Sequence, residues 1–167
     1  IRRDFKIPNS DKIVLISLGG IPFDPLFLSK NLQMPGVTTI VPGCNSEYVF
    51  QNGQVICLPR QHKYFHPNLV KNANLVIGKL GYSTIAEVYS ANVPFLYLTR
   101  PSFRESSILQ DFVDKNLVSQ EIEYLDFMNG NFREKIMFLL NIQTSLILRK
   151  NGSNEVVDFF RNKGLVI

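Results

Sequence analysis

The chain has 167 residues, 45% of them hydrophobic, which is enough apolar material for one globular core and too much for a disordered segment. Eighteen basic and fourteen acidic residues leave a net charge of +4 and a pI near 9.1. The charges are scattered rather than gathered into a stripe, which argues against a nucleic-acid partner and leaves phosphate-bearing ligands or peripheral contact with an anionic membrane as compatible ones. Cys44 and Cys57 have no metal-ligand spacing and no histidine pattern beside them, so they read as reduced, structural thiols of a cytoplasmic protein. The longest apolar run, Ile136 to Leu148, is broken by Asn141, Gln143 and Thr144 and falls short of the roughly 18 residues of a membrane span.

In chain order, residues 1–12 read as a polar linker entered from a missing N-terminal domain, and residues 13–167 as the folded domain. Strands are expected at Ile13 to Leu18, Val37 to Val41, Val55 to Leu58, Leu75 to Ile77, Phe95 to Leu98 and Leu117 to Glu121. Most are continuous apolar runs, the mark of a sheet covered on both faces and hence parallel. Helices are expected at Pro25 to Gln33, Asn68 to Asn72, Thr84 to Ala91, Glu105 to Lys115, Phe132 to Leu140 and Asn154 to Asn162. Alternation of this kind predicts an α/β fold, a Rossmann-like doubly wound parallel sheet of about six strands. Gly43 to Gln54 is polar and holds Asn52-Gly53, a connection or hairpin turn between the second and third strands.

Three loops fall at carboxyl ends of strands: Gly19-Gly20, Gly78 to Ser83, and Thr99 to Glu105. In the second, Lys79-Leu80-Gly81-Tyr82-Ser83-Thr84 opens a helix whose free N–H groups favour an anion, with the Lys79 charge beside it. A tight turn at Gly81 and a solvated Lys79 would explain the same residues. Glu87 also has two readings. Thr84-Ile85-Ala86-Glu87 matches a capping box, in which Glu87 reaches back to the Thr84 N–H. Its carboxylate would equally accept hydrogen bonds from a ribose 2′,3′-diol. The loop Arg100-Pro101-Ser102-Phe103-Arg104-Glu105 carries two guanidiniums and a carboxylate, which read either as ligand contacts or as surface charge with Glu105 favoured at a helix start. His62 and His66 have no serine or carboxylate partner at a readable spacing, and no triad or metal site is read from them.

The run Gly78 to Glu87, with Asn92-Val93-Pro94 and Arg100 to Glu105, strongly resembles the C-terminal donor-binding domain of GT-B glycosyltransferases, among them the peptidoglycan GlcNAc transferase. The resemblance is specific over about Phe65 to Leu109. It implies one half of a GT-B fold that binds a nucleotide-diphosphate sugar, usually a uridine one. Gly81, Ser83 and Thr84 would hold the diphosphate, Glu87 the ribose, and Glu105 hydroxyls of the sugar. Lys79 stands where relatives place an arginine or histidine, Gly19 and Gly20 would leave room beside the diphosphate, and backbone at Cys57 to Pro59 would meet the base.

The resemblance further implies hexosyl transfer, no cofactor beyond the UDP-sugar substrate, and an acceptor domain, in the same chain or on a partner subunit, that supplies the general base. No metal is implied, since no Asp-x-Asp is present and a helix terminus can take the cation's place. Arg104-Glu105-Ser106-Ser107 departs from the acidic-Gln pattern of many relatives, which leaves the choice of sugar open. A nucleotide-sugar hydrolase or 2-epimerase of the same fold, or a non-catalytic donor-binding subunit, are the other functions compatible with these residues.

Overall fold

The structure is a computed structural model that describes residues 1–19, 32–45, 49–100, 102–143 and 152–165. In chain order its elements are β1 (Lys12–Ser17), β2 (Val37–Cys44), β3 (Phe50–Asn52), β4 (Val55–Pro59), α1 (His66–Asn72), β5 (Leu75–Lys79), α2 (Tyr82–Ala91), β6 (Phe95–Leu98), α3 (Ser106–Asn116), β7 (Ser119–Ile122), α4 (Tyr124–Asn129), α5 (Arg133–Asn141) and α6 (Gly152–Asn162). The strands form one sheet in the order β3-β4-β2-β1-β5-β6-β7, parallel except for β3. This is the α/β fold expected, with one strand more. The extra strand arises at Asn52-Gly53: Gly53 takes φ +58° and, with Gln54, turns β3 back on β4 so that Asn52 faces Val55. A positive φ at the first turn position is what glycine supplies most readily.

The continuous apolar strands are explained by two helical layers. Alternate residues point to opposite faces. Ile13 and Leu15 of β1 join Ile56, Val76, Phe95 and Tyr97 under Leu69 and Val70 of α1, Ile85 and Val88 of α2, and Leu109 and Val113 of α3. Val14 and Ile16 join Val37, Val41, Ile77 and Leu96 under Phe127 of α4 and Ile136 and Leu139 of α5. The rings of Phe127 and Phe132 stack with centroids 5.4 Å apart, so these aromatics are core, whereas Phe138 is exposed. The short helix α4 was not expected from the sequence, being a single turn and a half with little periodicity to show. Residues 1–11, read as linker, lie against the domain. Ile7 is buried, Phe5 meets Tyr64 at 5.2 Å, and Arg2 donates to the carbonyls of Pro8 and Asp11.

The helix expected over Pro25 to Gln33 lies outside the described residues except for 32 and 33. The helix expected at Asn154 to Asn162 is α6, which buries none of its residues. None of the helices among the described residues is long and apolar enough to cross a membrane.

Candidate functional site

Strand order locates the site. From β1 the chain proceeds outward through β2 and β4, then returns to the other side of β1 as β5 and continues to β6 and β7. The reversal leaves a crevice at the carboxyl ends of β1 and β5, where open α/β sheets take their ligands. Gly19 follows β1 there, Lys79 ends β5 and Gly81 follows it. Gly20 and Pro101 lie outside the described residues.

Helix α2 begins two residues earlier than the sequence suggested. Gly81 is its N-cap, in extended conformation and without a side chain to cap with, and the first intrahelical bond is from Ile85 N–H to Gly81 O. The N–H groups of Tyr82, Ser83 and Thr84 therefore precede the helical ladder and point out of the helix start. Ser83 is exposed and Thr84 half-buried. Gly78, expected to open the loop, does not belong to it. It lies inside β5, opposite Ser17.

Lys79 reaches across the crevice and donates from Nζ to the Gly19 carbonyl at 2.9 Å. Gly19 has φ +56°, and a Cβ there would come 3.2 Å from Lys79 Cε, so glycine both adopts the turn and lets the lysine pass. Burial, and after it the nearby Arg100 charge, hold the Lys79 ammonium below its ordinary pKa of 10.5. Arg100 is itself fixed: its guanidinium lies 4.4 Å from the Phe103 ring centre, and its backbone N–H donates to Ser106 Oγ at 3.2 Å. Two cations, close enough for the Arg100 charge to act on Lys79, thus stand beside an open helix start, and among the described residues neither is in an ion pair. Arg104 is exposed, and Glu105 is the half-buried N-cap of α3 with no side-chain cap bond.

Glu87 corrects the capping-box reading. With the helix starting at Tyr82, Glu87 is its sixth residue, too far along to serve the first turn. Its Oε2 instead lies 2.6 Å from His66 Nδ1, and His66 Nε2 lies 2.8 Å from Ser17 Oγ. His66, assigned no partner from the sequence, therefore has two. They stand 49 and 21 positions away and are brought together only by the packing of β1, α1 and α2, so no local spacing would have revealed them. The connectivity is that of a hydrolytic Ser-His-Glu triad, but the serine is not placed to attack. Ser17 is 6% exposed, and its backbone is pressed against Gly78, where a Cβ would come 2.7 Å from the Ser17 carbonyl. No substrate carbonyl fits over a hydroxyl so enclosed. Cys57 and Leu58 are buried, and only Pro59 of that group reaches the edge of solvent.

No family model matches the chain. It is 25% identical over 133 residues to L-arabinokinase from Arabidopsis thaliana, a match that takes in 79% of this chain and 12% of that protein. Among solved structures, the kitacinnamycin glycotransferase superposes with a TM-score of 0.61 at 14% identity, over 81% of this chain and 36% of its own. The UDP-GlcNAc 2-epimerase of Neisseria meningitidis, bound to UDP-GlcNAc, superposes with a TM-score of 0.51 at 15% identity, over 96% of this chain and 47% of its own. The chain thus spans less than half the length of each of these proteins. In fold, it is one Rossmann-like half of a GT-B architecture, the architecture of solved glycosyltransferases.

Proposed function

We propose that this chain is the donor-binding half of a GT-B glycosyltransferase and that its ligand is a uridine-diphosphate sugar. The observation that carries the reading is Lys79 bonded to the Gly19 carbonyl across the strand-order reversal, near enough to Arg100 to be affected by its charge, beside the uncapped start of α2, with neither cation in an ion pair among the described residues. Holding two like charges near each other is unfavourable unless an anion joins them, and a diphosphate would answer both cations and the Tyr82, Ser83 and Thr84 N–H groups. In this reading Glu87, about 7.5 Å further along the helix axis, accepts from the ribose diol, and Glu105 and Arg104 border the sugar. The half-site holds and orients donor and stabilises the departing diphosphate. The acceptor and the general base come from an N-terminal domain or a partner subunit.

A second reading, sugar epimerisation or hydrolysis on the same fold, is favoured by the coverage of the epimerase, which matches nearly the whole chain. Incubating the complete protein with a UDP-sugar and analysing the products separates the two. Release of UDP that depends on an added acceptor supports transfer. Free sugar, or its epimer, without any acceptor overturns it in favour of the second reading.

A further inference from the structure

The Ser17–His66–Glu87 chain satisfies the buried Ser17 hydroxyl, but diphosphate binding does not account for it. His66 and Glu87 retain 32% and 21% of their side-chain exposure, so both reach solvent. A carboxylate has about four acceptor positions. His66 occupies one on Oε2, which leaves Oε1 and the rest of Oε2 able to receive two hydroxyls. A glutamate on a helix surface ordinarily samples several rotamers and loses that freedom when it binds. Here the freedom is removed in advance: the His66 ring is held between the Glu87 carboxylate at Nδ1 and the buried Ser17 hydroxyl at Nε2, and Ser17 is carried by the central strand.

We infer that His66 is a positioning residue that sets the preference of this site for a ribonucleotide over its 2′-deoxy counterpart, acting on the nucleotide through Glu87. The inference rests on the donor-site reading above, in which Glu87 meets the ribose. His66 touches no ligand itself. It holds the acceptor where a 2′-hydroxyl arrives, so its loss should be felt in proportion to that hydroxyl and not by the diphosphate at the helix start.

The test is equilibrium binding of UDP and 2′-deoxy-UDP to the wild-type chain, His66→Phe and His66→Asn. Phenylalanine fills the ring's space without a donor, whereas asparagine presents an N–H near the position of Nδ1. The wild type should prefer UDP by about tenfold or more, the size of one charge-assisted hydrogen bond. In His66→Phe that preference should collapse through loss of UDP affinity, with 2′-deoxy-UDP within about twofold of wild type, and His66→Asn should restore it. Equal weakening of both nucleotides in His66→Phe, or an unchanged preference, overturns the role of His66 and leaves the donor site standing. A folded wild type that binds neither nucleotide, or does not distinguish them, overturns the reading of Glu87 as the ribose acceptor and this inference with it.

Discussion

Gly78 and Ser17 are register partners in the two central strands, and the backbone of one is so close to the other that a Cβ on Gly78 would lie 2.7 Å from the Ser17 carbonyl oxygen. The approach is what places the carboxyl ends of β1 and β5 side by side, with Lys79 within reach of Gly19. Gly81, by contrast, has open space where a Cβ would stand and an extended φ of −160°. Gly78→Ala is therefore expected to lower stability by about 1–3 kcal/mol through overpacking against backbone, and Gly81→Ala by less than about 1 kcal/mol, the range of a changed cap. Urea unfolding of the two variants measures the difference, and equal losses would mean that the close approach does not constrain the sheet.

Lys79 gives the site a pH dependence of defined sign. Burial and Arg100 hold its pKa below 10.5 in the free protein, and an anion bound beside it would raise that pKa again. Affinity for UDP should therefore be constant from neutral pH up to the lowered pKa and fall as pH rises through it, with proton uptake on binding in that window. Lys79→Arg keeps its charge throughout the range and should abolish the alkaline decline. Titrations in buffers of different ionisation enthalpy measure the uptake, and a decline of the same size in Lys79→Arg would assign it to another group.

Tyr97 anchors β6 to α3. Its hydroxyl donates to Asp114 Oδ1 at 2.8 Å and receives Gln110 Nε2 at 3.3 Å, and burial first, then the Asp114 bond, push the phenol well above its ordinary pKa of 10.0. A group whose folded pKa is raised stabilises the fold fully below its unfolded pKa and loses that contribution as pH climbs beyond it. Tyr97→Phe should cost about 1 kcal/mol at neutral pH, because Gln110 keeps Glu121 and Asp114 keeps Ser119 as partners. It should also remove part of the fall in stability above pH 10. Urea midpoints from pH 7 to 11 report both. Parallel pH curves for the two proteins would contradict the shift.

Much of this architecture was legible because its signals are local. Apolar runs such as Leu75 to Ile77 and Phe95 to Leu98 mark doubly covered strands, and glycine after a strand marks a loop on the shared rim. The placement of the candidate site is legible in the same way: Gly19, Lys79, Gly81 and Arg100 were expected at strand ends and lie there. What failed depends on packing at long sequence separation. The spacing of Thr84 and Glu87 fits a capping box, but the helix starts at Tyr82 with Gly81 as its N-cap, which moves Glu87 a turn inward, where it meets His66. The partnership of His66 with Ser17 has no sequence signature at all. It exists because His66 is the first residue of α1, followed by Pro67, and so stands over the end of β1.

The most direct test of the donor site is calorimetric titration of the folded chain with UDP, against ADP and GDP, repeated with Glu87→Gln. Glutamine still offers His66 an acceptor oxygen, so the substitution removes charge rather than position. Selective binding of UDP, weakened about tenfold or more in Glu87→Gln, is the predicted result. Failure to bind any of the three nucleotides, or equal binding of all three that Glu87→Gln leaves unchanged, would contradict it.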